Sequence, residues 1–188
     1  NIFIYMLFII NFLFSGFEIE FQRKLILAMP GDVLQIPEGT QKLLGTLSLE
    51  GKENIIIRGE GVDVSILSFA EQEEGAEGLK IINCKNIRLE HFSTQDSKGD
   101  GIKVQDTDGI IFNDVKTEWT KGPDSENGAY GIYPVQCKNV IIDNCTSIGA
   151  SDAGIYVGQS EQIIVKNSEA FHNVAGIEIE NSINADVF

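Results

Sequence analysis

From Gly78 onward the chain alternates hydrophobic and polar positions in a fixed frame. Gly–aliphatic pairs stand at Gly78-Leu79, Gly101-Ile102, Gly131-Ile132, Gly154-Ile155 and Gly176-Ile177, with spacings of 23, 30, 23 and 22 residues. One and three residues after each Gly stand Leu79/Ile81, Ile102/Val104, Ile132/Pro134, Ile155/Val157 and Ile177/Ile179. Nine and eleven after stand Ile87/Leu89, Ile110/Phe112, Val140/Ile142, Ile163/Val165 and Ala185/Val187. Members of a pair two apart share one face of a strand. A third short segment follows in the same frame, with Phe92, Val115, Cys145 and Ser168, then Thr94, Thr117, Ser147 and Ala170. Three short strands per ~23 residues, parted by polar turns, predict one coil of a right-handed parallel β-helix. One coil cannot bury its inner face; the next, ~4.8 Å above, does so, and like residues stack on like.

The frame extends to small polar positions. Cys84, Thr107, Cys137, Ser160 and Ser182 fall in one column, and His91, Asp114, Asn144 and Asn167 in another. Both read as turn ladders that satisfy backbone groups. The first coils are less regular: Val33–Ile36 follows a Pro30-Gly31-Asp32 turn, and Leu47/Leu49, Ile55/Ile57 and Ile66/Phe69 continue the inward pairs. Upstream, Phe17, Phe21, Leu25 and Ala28 recur at helical spacing and stop at Pro30. They predict an amphipathic helix over 17–29 that caps one end of the solenoid. The expected organisation is therefore all-β with an N-terminal capping helix, the β-helix occupying 30–188. Phe188 falls partway through a coil, so the natural protein is expected to continue beyond it.

Residues 1–16 carry a different pattern. Ile2–Phe14 is apolar but for Asn11, with Ser15 and Gly16 behind it. The run is short for a membrane span, which needs ~20 residues, and reads as the apolar part of a signal peptide. Export to the periplasm, cell surface or medium is expected, with no stable span in the mature chain. The net charge of −14 gives no footprint for nucleic acid. Cys84, Cys137 and Cys145 are too few and too irregular for a disulfide framework and read as small buried residues.

The stretches AMPGDVLQIPEGT, GDGIKV, ENGAYGIYPVQCKNVIIDNC, GASDAGIYVGQS and NVAGIEIENSINADV resemble a family of exported bacterial parallel β-helix repeat proteins. The resemblance runs from about Phe21 to the end and implies fold and export. More distantly the chain is similar to the pectin-lyase-like superfamily, which includes polysaccharide lyases, glycosidases and alginate epimerases. The catalytic signatures of those enzymes are missing. There is no Asp-Asp, His-Gly or Asp-Pro-His, and Arg23, Arg58 and Arg88 are the only arginines.

Candidate chemistry lies on the outward positions of the Gly-led strands. Two after each Gly stand Lys80, Lys103, Tyr133, Tyr156 and Glu178, one column on one exposed sheet. Tyrosines offer flat apolar faces with polar tips, suited to sugar rings. Lysines could meet carboxylates, and Glu178 could orient hydroxyls or a cation. Gln159 flanks the column, and Gly158 leaves the surface low beside Tyr156. Trp119 and the insertion Lys121–Asn127 are expected to wall a groove beside it, with Asp100 and Asp152 on the rim. The acidic run Glu71–Glu77 reads as a solvated loop. Three functions follow. The first is binding of a polysaccharide or cell-surface glycan on this sheet. The second is lyase or C5-epimerase chemistry on an acidic glycan, with Asp152 and His172 as candidate bases, Tyr156 or Tyr133 as proton donor and Lys103 as neutraliser. The third is a non-catalytic scaffold docking another exported protein. No cofactor or metal site is expected, although calcium would be compatible with the carboxylates.

Overall fold

The computed structural model describes residues 16–188; the signal-like run Ile2–Phe14 lies outside the described residues. A helix at Gly16–Leu27 leads into a solenoid of parallel strands. The Gly-led strands form a six-stranded sheet running Gly45–Glu50, Glu74–Ile82, Ile102–Gln105, Ile132–Val135, Ala153–Gly158 and Ala175–Glu180. The second and third strands of each coil form an eleven-stranded sheet, with every described pairing parallel. The register follows the repeat: Leu79 pairs with Ile102, Ile102 with Ile132, Ile132 with Ile155 and Ile155 with Ile177.

Stacking places the aliphatic pairs inside. Leu79, Ile81, Ile102, Val104, Ile132, Ile155 and Val157 are fully buried, as are Ile87, Leu89, Ile110, Phe112, Val140 and Ile142 opposite them. One early pair differs: Leu67, not Ile66, joins Phe69 in the core. Ile66 and Phe69 are three residues apart, so they cannot share one face of a regular strand.

The glycines that lead three successive coils, Gly78, Gly101 and Gly131, are set by space. A Cβ at Gly78, Gly101 or Gly131 would lie 2.6, 2.7 and 2.6 Å from the carbonyl oxygen of Gly101, Gly131 and Gly154 in the coil stacked upon it. Only glycine admits that approach. Positive φ is left to the corners, where Asn83, Asp106, Gln136, Gln159 and Asn181 repeat at 49–55°. The residues that follow them form the hydroxyl–thiol ladder. Cys84, Thr107, Cys137, Ser160 and Ser182 each donate to the carbonyl two residues back. Three of them also accept an amide from the coil below, Cys84 N–Thr107 Oγ1, Cys137 N–Ser160 Oγ and Ser160 N–Ser182 Oγ, at 3.0–3.3 Å. At the next corner Asp114 takes the His91 ring at 2.8 Å and the Asn144 amide at 3.1 Å.

The helix closes the N-terminal end through its polar residues as well as its apolar face. Phe21 and Leu25 are buried on the first coil. Glu18 accepts the amides of Leu44 and Gly45 at 3.0 and 2.8 Å. Gln22 accepts the Ser48 amide and donates to the Ser48 carbonyl. These groups belong to the edge strand of the Gly-led sheet, so the helix pairs an edge that would otherwise be bare. Lys52 donates to the carbonyls of Ile26 and Ala28, satisfying the helix C-terminus.

Candidate functional site

The Gly-led sheet carries its outward residues in register: Ser48 opposite Lys80, Lys80 opposite Lys103, Lys103 opposite Tyr133, and Tyr156 opposite Glu178. Ile132 pairs with Ile155 and Val135 with Gly158, which sets Tyr133 beside Tyr156. Their ring centroids are 5.3 Å apart, edge to face. Tyr130 completes the group, 4.7 Å from Tyr133 and 4.5 Å from Tyr156. All three rings are half-buried. The Tyr156 ring leans over Gly158, where a Cβ would lie 2.6 Å from it, and its hydroxyl donates to Glu180 at 2.8 Å. Burial, and then the Glu180 carboxylate, push the Tyr156 phenol up to about 12.

A second column runs beside the first, one residue before each Gly: Glu77, Asp100 and Tyr130. The Lys80 ammonium is 3.5 Å from Glu77 Oε1. The Lys103 ammonium is 3.9 Å from the same oxygen, 4.0 Å from Asp100 Oδ2 and 5.0 Å from the centre of the Tyr133 ring. Asp100 Oδ1 accepts the Tyr130 amide at 3.3 Å. Burial pushes the Asp100 carboxyl above its ordinary range, against the opposing pull of Lys103. The Tyr130 phenol lies against Asp152; burial and then that carboxylate raise it.

Asp100 was legible as a rim residue, whereas Glu77 and Tyr130 were not singled out. Glu77 is no part of a solvated loop. It lies in the strand Glu74–Ile82, with its side chain 18% exposed and paired to both lysines. Its signal was the position before Gly78, which the repeat frame marks. Trp119 is not a groove wall: it is 5% exposed, and its indole donates to the Ser97 carbonyl at 2.8 Å beneath the insertion. The insertion itself is tied down by Asn127, which donates to the carbonyls of Gly122 and Gly149. Pro123, Asp124 and Ser125 border a hollow of about 370 Å³ with Ala150, Ser151, His172 and Asn173. His172 therefore opens on a hollow that none of the three tyrosines borders. Gln159 is an exposed corner residue with φ 51°, and Glu178 lies at the C-terminal end of the column. Among the described residues no three His, Cys, Asp or Glu side chains are grouped to hold a metal ion. No described helix is long and apolar enough to cross a membrane.

A solenoid of parallel coils with an aromatic and charged outer sheet defines a β-helix protein with one differentiated face. The chain matches the model of the right-handed β-helix region over residues 53–187 and belongs to that family. A search of curated proteins finds no match. Among solved structures the chain is similar to a "putative glycosyl hydrolase" from Parabacteroides merdae, at 11% identity and a TM-score of 0.57. The likeness covers 84% of this chain and 80% of that one. At that identity it is a likeness of fold.

Proposed function

We propose that the Gly-led sheet binds a glycan across the rings of Tyr130, Tyr133 and Tyr156. The observation that carries this reading is the close grouping of the rings, with centroids 4.5–5.3 Å apart on an outward face. Mutual packing fixes the rings before a ligand arrives, so little side-chain entropy is lost on binding. Covering ~50 Å² of ring face contributes about 1.3 kcal/mol, or roughly tenfold in affinity. The glycosyl hydrolase assignment of the P. merdae protein is in keeping with a glycan ligand. The test is titration of Tyr133→Ala and Tyr156→Ala against a glycan panel. Each variant should lose about tenfold in affinity with its melting curve little changed. If neither the parent nor the variants bind any glycan, the scaffold reading takes its place. We infer also that the protein is exported, on the strength of the run Ile2–Phe14; cell fractionation tests this.

Turnover is a second reading, and Asp100 favours it. A carboxyl whose proton affinity burial raises, beside a sugar platform, is better suited than an ordinary one to donate a proton to a leaving oxygen. Asp152, across Tyr130, is suited to accept one from water. This pairing replaces Asp152, His172 and Tyr156 as the acid–base set, because His172 lines a hollow that the tyrosines do not border and the Tyr156 hydroxyl is engaged by Glu180. Release of reducing ends that disappears in both Asp100→Asn and Asp152→Asn would establish it.

A further inference from the structure

Two lysines on a sugar-binding face invite the expectation of an acidic glycan. Their surroundings argue the opposite. Lys80 and Lys103 share Glu77 Oε1 at 3.5 and 3.9 Å, and Lys103 also faces Asp100 at 4.0 Å. The Lys103 side chain is 22% exposed, with the Tyr133 ring 5.0 Å from its ammonium. Both positive charges are thus answered from within the sheet. Around the rings stand Asp152, Glu178 and Glu180, none of them in a salt bridge among the described residues. A sugar carboxylate laid across the tyrosines would have to displace Glu77 or Asp100, or lie among carboxylates at distances within one Debye length, ~8 Å at physiological salt.

We propose that this face selects uncharged glycans and rejects uronic-acid polymers, Glu77 and Asp100 withholding Lys80 and Lys103 from the ligand. The inference rests on the glycan-binding reading and names the ligand class for the same site. Glu77 is then a specificity residue: it touches no reacting atom, yet it decides whether two ammonium groups are available to an anion. The experiment titrates the parent, Glu77→Gln and Asp100→Asn with neutral oligosaccharides of glucose, mannose and xylose, and with oligomers of galacturonate and mannuronate. Each titration is run at low salt and at ~0.15 M. The parent should bind at least one neutral oligomer and bind the uronates at least about tenfold more weakly. Glu77→Gln should raise the ratio of uronate to neutral affinity about five- to tenfold at low salt, and less at ~0.15 M, because it frees a screened surface charge. Asp100→Asn should move the ratio in the same direction, which keeps the test open if one variant folds poorly. Uronates that bind the parent as tightly as neutral oligomers would overturn the selectivity while leaving glycan binding intact. An unchanged ratio in two folded variants would do the same. Failure of every oligomer to bind the parent would instead remove the glycan reading and this inference with it.

Discussion

Cys84, Thr107, Cys137, Ser160 and Ser182 perform one task with two chemistries, since thiol and hydroxyl alike bond the carbonyl two residues back. Cys137→Ser should therefore change stability by less than ~1 kcal/mol in a denaturant titration, whereas Cys137→Val, which removes donor and acceptor, should cost about 1–3 kcal/mol. The thiols are also chemically quiet. Burial pushes Cys137 up to about 11 and Cys145 to about 12. Neither should react with a thiol reagent near pH 8 until the chain unfolds, because the thiolate is the nucleophile. In the core, Ile142 and Ile155 are fully buried, and replacing either by Ala should cost about 2–5 kcal/mol, read from the melting curve. Inward residues such as these were legible from period two alone. Tyr130 and Glu77 were harder, because the position before each Gly changes type from coil to coil, through Glu77, Asp100, Tyr130, Ala153 and Ala175. A position that varies in chemistry betrays itself in space, through its neighbours across the sheet. Trp119 failed in the reverse direction: a lone aromatic beside an insertion looks like a binding group, and only its burial and the Ser97 carbonyl at its indole show that it is packed into the solenoid.

Among the elements, the capping helix shows most clearly what a pattern conveys and what it omits. Its apolar spacing announced an amphipathic helix ending before Pro30, and the helix spans Gly16–Leu27. The spacing said nothing of Glu18 and Gln22, which fall outside the apolar positions of that pattern. Yet Glu18 holds the amides of Leu44 and Gly45, and Gln22 both groups of Ser48. Glu18→Ala should leave two amides near the helix without that acceptor and cost about 1–3 kcal/mol, since a buried donor that loses its partner retains the desolvation cost. Glu18→Gln, which keeps one acceptor, should cost less. Loss of the cap also bares a strand edge, so Glu18→Ala should aggregate sooner on heating, measured by light scattering. Equal melting and scattering curves for parent and Glu18→Ala would mean that Phe21, Leu25 and the bonds of Gln22 and Lys52 hold the helix without Glu18.

Across the whole molecule, one carboxyl on each of the two broad sheets is shifted in the opposite direction, Glu90 down and Asp100 up, and pH can separate them. On the eleven-stranded sheet Glu90 is buried, which by itself raises a carboxyl, but Arg58 and Arg88 outweigh burial and hold it below its ordinary 4.5. A depressed carboxyl stabilises the fold above its unfolded value and loses that contribution as pH falls through the folded one. On the Gly-led sheet Asp100 is raised above its ordinary 3.8, with burial as the main cause. A raised carboxyl does the reverse: the stability present below 3.8 is lost as pH rises through the folded value, because the folded state then carries a poorly solvated charge. Glu90→Gln should thus be less stable than the parent at neutral pH, by roughly 1 kcal/mol since both arginines are partly exposed, and the gap should close as pH falls below 4.5. Asp100→Asn should move the other way, matching the parent most closely in acid and gaining on it as pH rises. Asn keeps an acceptor for the Tyr130 amide, so the comparison isolates the charge. Melting temperatures of the three proteins from acid to neutral pH give the test: the two variant-minus-parent curves should have slopes of opposite sign. Parallel curves would mean that the Asp100 carboxylate is as well solvated in the folded chain as in the unfolded one, and the case for Asp100 as a proton donor would go with it.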